Sequence, residues 1–354
     1  MRPEAVSATA AALAVVGNPS SVHGFGRAAR RVMEDAREQV AAAIGATPRE
    51  IVFTSGATEA NNLALKGCDR PRLLISAVEH DSVRMAAPGA EIVPVDPDGA
   101  VDLAALAALL AADGRRALVS LMLANNETGV LQPVAEAAAQ AHRHGALLHC
   151  DAVQACGRVP VDVRALGVDL LSLSAHKLGG PAGVGALYIR DGLDLAALLA
   201  GGGQERGRRG GTENLAGIAG FGAAAEAARH ADAEASAVQG LRDGMEARIR
   251  AARPDALIFG AGAPRLPNTT CVALAGVPAE SQVMALDLAG IAVSAGAACS
   301  SGKLRPSGVL RAMGVAPDIA GCAIRVSLGW GSKAEDIDRF IAAWSRLAAR
   351  GLAA

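Results

Sequence analysis

Aromatic side chains and excess charge are both scarce in this chain of 354 residues. It contains five phenylalanines, two tryptophans and one tyrosine, and its formal net charge is −1 with no long basic run. Proteins that bind single-stranded nucleic acid without sequence preference combine aromatic stacking with a positively charged groove. Binding to a membrane surface also needs a basic patch. We therefore expect no nucleic-acid partner and no membrane partner.

Paired cysteines are missing as well. The six cysteines are scattered without a CxxC pair, at positions 68, 150, 156, 271, 299 and 322. In a chain of this length the pattern predicts reduced thiols and a cytoplasmic location. Three histidines and a cysteine lie close together in the sequence: His142, His144, His149 and Cys150. Residues two apart on a helix do not share a face, so we expect no metal site.

Long apolar runs are absent too. None reaches the ~18 uninterrupted residues that suggest a transmembrane helix. The alanine-rich stretch Ala8–Val16 follows Arg2 and could mimic a weak signal peptide. Because Glu4 lies in the charged region and no clear cleavage site follows, we predict a first amphipathic helix instead.

Strand and helix patterns alternate along the first part of the chain. A helix is predicted over residues 27–44, with Gly45 as its stop signal, and others at 103–112 and 134–144. The predicted strands are Ile51–Thr54, Leu73–Ser76, Ile92–Val95, Ala117–Leu123, Ala146–His149, Leu170–Leu173 and Gly185–Ile189. This alternation predicts an α/β fold with a mainly parallel sheet flanked by helices. Ligands bind such sheets at the carboxyl ends of the strands.

A second region follows a long helical stretch predicted over Leu215–Arg250. Its predicted strands are Thr269–Leu274, Ile291–Ser294 and Ala323–Leu328, and its predicted helices cover residues 280–289, 306–313 and 334–349. We place the boundary near residue 233. The chain is thus expected to form a large domain at 1–233 and a smaller C-terminal α+β domain at 234–354.

Two charged residues each follow an apolar run that is predicted to be a strand of the sheet. Asp151 lies in the segment His149–Gln154, and Lys177 ends the tetrapeptide Ser174-Ala175-His176-Lys177. Pyridoxal phosphate enzymes need a lysine amine that bonds to the cofactor aldehyde. They also need a carboxylate that keeps the pyridine nitrogen protonated. A lone lysine is usually a solvated surface group, but the two segments together favour cofactor attachment.

The segment Ser55–Glu59 follows a predicted strand and opens a helix. Gly56 lets the backbone approach an anion, Thr58 adds a hydroxyl, and the helix dipole favours negative charge. An ordinary helix cap could have the same sequence. In combination with Lys177, the segment is predicted to cradle the cofactor phosphate.

Several further residues permit two interpretations each. His80, at the end of a strand, can stack on a cofactor ring or move a proton, or it is a loop histidine. The asparagines of Asn125–Gly129 are common in turns for conformational reasons. The glycine-rich stretch Gly201–Gly211 is a plain loop or a second phosphate clamp. Arg325, on an apolar strand, is paired internally or presents its fork to a carboxylate ligand.

Cys299 lies among small residues in the segment Ser294–Lys303, where nothing bulky buries its thiol. Reactive cysteines are exposed and close to positive charge, and Lys303 and Arg305 are near in sequence. We therefore predict a nucleophile at Cys299. The cysteines that lie in apolar runs are predicted to be structural: Cys150, Cys271 and Cys322.

Together these motifs resemble the cysteine desulfurases, the NifS/IscS-like branch of the class V aminotransferase family, which has the type I pyridoxal phosphate fold. The resemblance extends from about Gly17 to the C-terminus. It rests on Gly17–His23, Thr54–Glu59, Asn125–Gly129, His149–Gln154, Ser174–Lys177, Gly201–Thr212, the Cys299 loop and Ala323–Gly329. The loop resembles the group with a Ser-Ser-Gly-Ser-Ala-Cys pattern, not the group with a short, rigid loop.

The resemblance implies a set of residues that bind pyridoxal 5'-phosphate. Lys177 would hold the cofactor, Asp151 would face the pyridine nitrogen, and Gln154 would face the ring hydroxyl. His80 would stack on the ring. The implied phosphate ligands are Gly56, Ala57, Thr58, Ser174 and His176, with Thr212 contributed by the partner subunit of a homodimer.

The resemblance also implies the reaction. Asn126 and Arg325 would hold the carboxylate of L-cysteine, and Lys177 and His80 would take part in catalysis. Cys299 would receive the sulfur as a persulfide, with release of L-alanine. The sulfur would then pass to an acceptor protein, either an iron–sulfur cluster scaffold or a thiolation enzyme.

Two alternatives remain open, and the noncatalytic one follows from a departure from the family pattern. Family members begin with a strand and an Ala-Thr-Thr-Pro-like motif that closes over the active site. This sequence starts at Met1-Arg2-Pro3-Glu4, roughly where that motif ends. The alternatives are a selenocysteine lyase or another pyridoxal phosphate-dependent cysteine lyase, and a noncatalytic partner in a sulfur-transfer assembly.

Overall fold

The computed structural model of the protein describes residues 1–296 and 307–350. These residues divide into two compact units. Unit 1 consists of Met1–Val93, Asp102–Leu123 and Gln132–Ala231, and unit 2 consists of Pro94–Val101, Ala124–Leu131 and the described residues from Asp232 onward.

Helices and strands alternate along the chain. The α-helices are α1 (Pro3–Leu13), α2 (Gly24–Ala42), α3 (Ala57–Gly67), α4 (Asp81–Arg84), α5 (Leu103–Ala112), α6 (Val134–Arg143), α7 (Val163–Leu166), α8 (Leu215–Ala228), α9 (Asp232–Ala252), α10 (Ala279–Leu288), α11 (Gly308–Ala312), α12 (Pro317–Ala320) and α13 (Ala334–Arg350). The strands are β1 (Ile51–Thr54), β2 (Arg72–Ser76), β3 (Glu91–Val93), β4 (Ala117–Met122), β5 (Leu147–Asp151), β6 (Leu170–Ser174), β7 (Gly185–Ile189), β8 (Leu257–Phe259), β9 (Thr269–Ala273), β10 (Ser294–Ala295) and β11 (Ala323–Ser327). Short 3-10 turns cover Pro48–Glu50, Ala175–Lys177 and Gln204–Gly207.

Unit 1 contains a seven-stranded sheet in the order β1-β7-β6-β5-β4-β2-β3. The neighbours from β6 to β3 pair in parallel, and β7 runs antiparallel to both β6 and β1. The predicted mainly parallel sheet is therefore confirmed. The direction of β7 means that β1 points the same way as the parallel strands.

Helix α3 packs on this sheet through one apolar face. Ala60, Leu63 and Ala64 have the i, i+3, i+4 spacing of a single helix face, and each is at most 2% exposed. They join a core cluster that includes Ile75 of β2 and Leu118 of β4. This packing fixes the amino end of α3 beside the carboxyl ends of the strands.

Unit 2 contains an antiparallel four-stranded sheet in the order β10-β11-β9-β8. Apolar side chains of the sheet and of three helices form its core, among them Met245, Ile249, Val272, Leu286, Ile324, Phe340 and Trp344. Gln282 is buried in this core, where its amide accepts from Trp344 Nε1 at 3.1 Å and donates to the Cys322 carbonyl oxygen at 2.7 Å. The arrangement agrees with the predicted α+β organisation of the C-terminal region.

Several elements differ from their prediction. The helical stretch predicted over Leu215–Arg250 is two helices, α8 and α9, and the strand predicted at Ile291–Ser294 is the two-residue β10. Strand β8 was not predicted. Among the described helices, none combines the length and the apolar composition that crossing a membrane requires.

Candidate cofactor site

The sequence-predicted cofactor residues of unit 1 gather at one edge of the seven-stranded sheet. Six of its strands, β1 to β6, end at this edge. The segment Ser55–Glu59 follows β1, His80 follows β2, Asp151 ends β5, and Lys177 lies on the 3-10 turn after β6. Because carboxyl ends of parallel strands meet at one edge, residues far apart in sequence, such as Gly56 and Ser174, become neighbours.

Asp151 is a buried carboxylate that is held in place by two donors. Asn61 Nδ2 donates to its Oδ2 at 2.8 Å, and the Val153 backbone N–H donates to its Oδ1 at 3.0 Å. Burial raises the pKa of Asp151, and the Asn61 hydrogen bond and the charges of His80 and Lys177 act in the opposite direction. His80 and Lys177 thus each lie within electrostatic reach of Asp151.

His80 caps the amino end of α4 with its own ring. The Ser82 backbone N–H donates to His80 Nδ1 at 3.1 Å, and Ser82 Oγ lies 2.8 Å from the same nitrogen. An acceptor role for Nδ1 assigns the ring proton to Nε2. Ser82 Oγ also accepts from Asn61 Nδ2 at 2.8 Å, so one asparagine connects His80, through Ser82, with Asp151.

Arg158 joins the turns that present Gln154 and Lys177. Its Nη1 donates to the Gln154 carbonyl oxygen at 2.5 Å, and its Nη2 donates to the Lys177 carbonyl oxygen at 2.9 Å. The side chains of Gln154 and Lys177 are both partly exposed. One guanidinium therefore fixes the relative position of the segments after β5 and β6.

The segment after β1 forms a cradle at the amino end of α3. Its first helical residue follows Gly56, which has a φ of +153° and provides no side-chain cap. A Cβ at Gly185 would lie 2.7 Å from Gly56 Cα, so only glycine fits where these two backbones meet. Backbone N–H groups at Ala57 and Thr58 open an uncapped helix whose dipole favours an anion.

Side chains from the end of β6 adjoin this cradle. Ser174 Oγ lies 2.9 Å from His176 Nδ1 and 4.0 Å from the position of a Cβ on Gly56. Burial, followed by the charges of Lys177 and Arg158, lowers the pKa of His176. Ser174 is buried whereas His176 is exposed.

A cavity of about 190 Å³ lies next to the cradle. Its lining includes Thr54, Ser55, Arg209, Thr212 and Glu213. Thr212 is exposed and lies shortly before α8, whose N-cap residue is Asn214. The glycine-rich stretch thus brings Thr212 to the cradle region of its own chain.

These features fit pyridoxal phosphate. The uncapped amino end of α3 offers free N–H groups to a phosphate, and a buried carboxylate at the end of β5 offers a partner to a protonated pyridine nitrogen. Lys177 lies between these two regions in the order of the sheet, after β6.

The predicted substrate residues Asn126 and Arg325 contact each other within unit 2. Arg325 lies on the central strand β11, and its Nη1 donates to the Asn126 carbonyl oxygen at 2.8 Å. Its Nη2 donates to Ser294 Oγ at 3.1 Å. Within residues 1–296 and 307–350, the buried Nε of Arg325 has no hydrogen-bond partner.

Cys299 falls outside the described residues, as do Lys303 and Arg305. The other five cysteines are free and buried: Cys68, Cys150, Cys156, Cys271 and Cys322. Burial raises the pKa of the Cys150 thiol, and it raises that of Cys156 to about 11. Thiols with such pKa values are poor nucleophiles at neutral pH.

Three residues near Asp151 were not found from the sequence: Asn61, Ser82 and Glu79. Glu79 is buried and accepts from the Met122 backbone N–H at 2.8 Å, and burial, then the charge of Asp151, raises its pKa to about 8. A sequence signal existed for Asn61, because a polar residue among buried positions of α3 breaks the apolar face. Ser82 and Glu79 flank His80 but carry no distinctive pattern.

Comparisons with known proteins show which family the chain is similar to. Residues 1–340 match the family model of the class-V aminotransferases. A cysteine desulfurase of Cereibacter sphaeroides is 48% identical over 339 residues, which cover 92% of this chain and 87% of that protein. The cysteine desulfurase IscS of Dictyoglomus turgidum is 44% identical over 336 residues, covering 91% of this chain and 85% of that protein.

A solved structure has the same fold over nearly the whole chain. The crystal structure of a NifS-like protein from Rickettsia africae superposes with a TM-score of 0.92 at 36% identity. It covers 98% of this chain and 96% of that one. The likeness therefore includes both sheets and the residues around them.

Proposed function

The chain belongs to the class-V aminotransferase family, and from that membership we propose that it is a pyridoxal phosphate-dependent cysteine desulfurase. It removes the sulfur of L-cysteine, releases L-alanine and leaves a persulfide on Cys299. The observation that carries this proposal is the meeting of Asp151, His80, Lys177 and the uncapped amino end of α3 at one sheet edge.

The chain's own groups would hold the cofactor at both ends. Backbone N–H groups at Ala57 and Thr58, with Ser174 and His176, would bind the phosphate. Asp151 would pair with the pyridine nitrogen, and Gln154 would serve the ring hydroxyl. Bound in this way, pyridoxal phosphate supplies an electron sink for the carbon from which a proton is removed.

Lys177 and His80 move the protons of the reaction. Lys177 Nζ would hold the cofactor, and the same amine would be the base for the Cα proton of cysteine. His80, with its proton on Nε2 and its Nδ1 held by Ser82, would lie against the ring and exchange a proton with the substrate.

Sulfur leaves the substrate by transfer to Cys299. Asn126 and Arg325 would hold the substrate carboxylate, for which a guanidinium is a suitable donor. The Cys299 thiolate attacks the substrate sulfur, a sulfur–sulfur bond forms and the carbon–sulfur bond breaks. L-cysteine and the Cys299 thiol thus become L-alanine and the Cys299 persulfide.

We further propose a cytoplasmic homodimer that delivers sulfur to an iron–sulfur scaffold or a thiolation enzyme. Large apolar side chains are exposed near the amino end, including Leu13 at 75%, Val16 at 73% and Phe25 at 68%. Such a surface supports contact with a second subunit. The five described cysteines are unpaired, which supports a reducing compartment.

The test measures alanine and sulfide released from L-cysteine, with pyridoxal phosphate and a thiol reductant. We expect equal amounts of the two products from the wild type and none from Cys299→Ala, which should still bind the cofactor. Release of sulfide by Cys299→Ala would contradict the role of Cys299. Turnover confined to selenocysteine would instead identify a selenocysteine lyase, and cofactor binding without any alanine would identify a noncatalytic partner.

A further inference from the structure

Two ion pairs fasten the loop 201–212 to α2, β1 and the start of α3. In the first, Arg37 Nη1 and Nη2 donate to Glu205 Oε2 and Oε1 at 2.7 and 2.8 Å, and the two side chains are 3% and 2% exposed. Glu205 also accepts from the Phe53 backbone N–H at 2.9 Å. This buried pair anchors the loop on β1.

The second pair lies at the cradle itself. Arg209 Nε lies 2.9 Å from Glu59 Oε1, and its Nη2 lies 3.4 Å from Oε2. Glu59 Oε2 also accepts from the Ser55 backbone N–H at 2.7 Å. The Glu59 carboxylate therefore holds the first residue of the cradle, and Arg209 holds the carboxylate.

A carboxylate at this position opposes the binding of a phosphate dianion. Burial acts to raise the pKa of Glu59, but its hydrogen bonds with Arg209 and Ser55 outweigh burial, and the pKa is lowered. Glu59 is thus ionised at neutral pH. Its side chain is 14% exposed, so solvent screens its charge only in part.

We propose that Glu59 and Arg209 are positioning residues for the cofactor phosphate. Glu59 holds the Ser55 backbone so that the cradle has its shape, and Arg209 cancels the Glu59 charge without binding the phosphate itself. The inference rests on the proposed function, because it takes the amino end of α3 as the phosphate site.

The experiment titrates cofactor-free protein with pyridoxal phosphate and, separately, with pyridoxal, which lacks the phosphate. Binding is followed by the absorbance of the bound cofactor for the wild type, Arg209→Met, Glu59→Gln and the double variant. Arg116→Met is the matched control. It removes an arginine paired with exposed Asp69 just before β4, at the opposite edge of the sheet.

Arg209→Met is expected to weaken pyridoxal phosphate binding by roughly tenfold and to leave pyridoxal binding unchanged. Glu59→Gln keeps an oxygen that accepts from Ser55, so it should bind pyridoxal phosphate at least as tightly as the wild type. The double variant should return to within about twofold of the wild type, since no charge is left unpaired. Arg116→Met should match the wild type throughout.

Other results overturn the inference. A double variant as weak as Arg209→Met would mean that Arg209 contacts the phosphate directly. An equal loss for pyridoxal would mean a merely structural role. If Arg209→Met does not fold, a tenfold weaker binding by Glu59→Gln alone refutes charge cancellation. A wild type that binds neither compound would refute the proposed function as well, and this outcome is distinct from the others.

Discussion

Asn61 connects the two polar groups that the proposed mechanism places against the cofactor ring. Its Nδ2 donates at 2.8 Å to Asp151 Oδ2 and at 2.8 Å to Ser82 Oγ, and Ser82 in turn holds His80. The side chain of Asn61 is fully buried. One amide therefore orients the carboxylate and, through a serine hydroxyl, sets the tautomer of the histidine.

Replacing Asn61 by alanine is expected to shift the pH profile of the reaction. The Asn61 hydrogen bond lowers the pKa of Asp151, so its loss raises that pKa and the carboxylate form persists only at higher pH. The acid limb of kcat/KM should move to higher pH. A hydrogen bond to a charged group contributes about 1.5–3 kcal/mol, so kcat/KM at neutral pH should fall roughly tenfold to hundredfold.

The control for this variant is Asn62→Ala on the same helix. The Asn62 side chain is partly exposed and donates to the Thr58 carbonyl oxygen at 2.9 Å, away from Asp151. Its pH profile should match that of the wild type. An unshifted acid limb in Asn61→Ala would contradict the assigned role of Asn61.

Glu79 is expected to make the stability of the fold depend on pH, and this effect is separate from catalysis. Burial, then the charge of Asp151, raises its pKa to about 8, above the ~4.3 of an unfolded chain. The protonated side chain of Glu79 contributes its full stabilisation of the fold below about pH 4. This contribution is lost as the pH rises through about 8. Between these limits the wild type should lose about 1.4 kcal/mol per pH unit relative to Glu79→Gln.

Urea unfolding of the cofactor-free proteins at pH 5 and pH 8 measures this difference. Glutamine is neutral and keeps the oxygen that accepts from the Met122 N–H, so Glu79→Gln should gain stability relative to the wild type at the higher pH. A stability difference that is the same at both pH values would show that Glu79 is ionised in the folded protein.

At the scale of single residues, the sequence predicts the groups whose chemistry is distinctive. The lysine and the aspartate that follow apolar runs indicate a cofactor site. The cysteine in a loop of small residues indicates a nucleophile. The polar break that Asn61 makes in the apolar face of α3 does not reveal its role, since asparagines serve many structural purposes and its partner Asp151 lies 90 residues away. Such a contact exists only after the strands have assembled.

At the scale of elements, periodicity predicts the strands and helices of the core. All seven strands of the large sheet coincide with a predicted apolar run, because their buried faces require such runs. The break at Arg229–Ala231 between α8 and α9 contains neither glycine nor proline, and so the sequence has no stop signal there. Strand β8 has three residues at a sheet edge and is too short to show a period.

The loop 201–212 depends on a buried ion pair for its conformation. Glu205 and Arg206 have φ values of +48° and +58°, a region that side-chain-bearing residues seldom adopt. The Arg37–Glu205 pair compensates for that strain. Arg37→Met would leave a buried carboxylate unpaired, so it should lower the free energy of unfolding by about 3–5 kcal/mol.

Denaturant unfolding with two further variants tests this element. The double variant Arg37→Met/Glu205→Gln should recover part of the lost stability. The glutamine amide at position 205 is neutral, and its oxygen can still accept from the Phe53 N–H. Arg49→Met removes a partner from the exposed Arg49–Asp191 pair and should cost less than about 1 kcal/mol. Equal losses for Arg37→Met and Arg49→Met would contradict the anchoring role.

At the scale of the whole molecule, two short segments belong to a unit that the sequence around them does not predict. Residues 94–101 and 124–131 belong to unit 2, although the neighbouring sequence builds unit 1. Long-range contacts hold them there, such as Leu131 N–H to the Pro264 carbonyl oxygen at 2.8 Å and Gly262 N–H to Asp98 Oδ1 at 3.1 Å. The assignment of functional domains to 1–233 and 234–354 stays a prediction.

The proposed homodimer leads to a test of where Thr212 acts. If Thr212 serves the partner's cofactor, then a mixed dimer of a Lys177→Ala subunit and a Thr212→Ala subunit contains one complete site. That site combines Lys177 of one subunit with Thr212 of the other. With two different affinity tags to isolate the mixed dimer, we expect about half of the wild-type activity per dimer, and far less from either variant alone.

The opposite result has an equally direct structural meaning. Thr212 and Ser55 line the same cavity of about 190 Å³ within one chain. If Thr212 binds the phosphate of its own subunit, then the Lys177→Ala subunit lacks its lysine and the Thr212→Ala subunit lacks its hydroxyl. No site in the mixed dimer would then be complete, and its activity should equal the mean of the two variants. The mixed dimer thus decides between a shared phosphate site and one that a single chain completes.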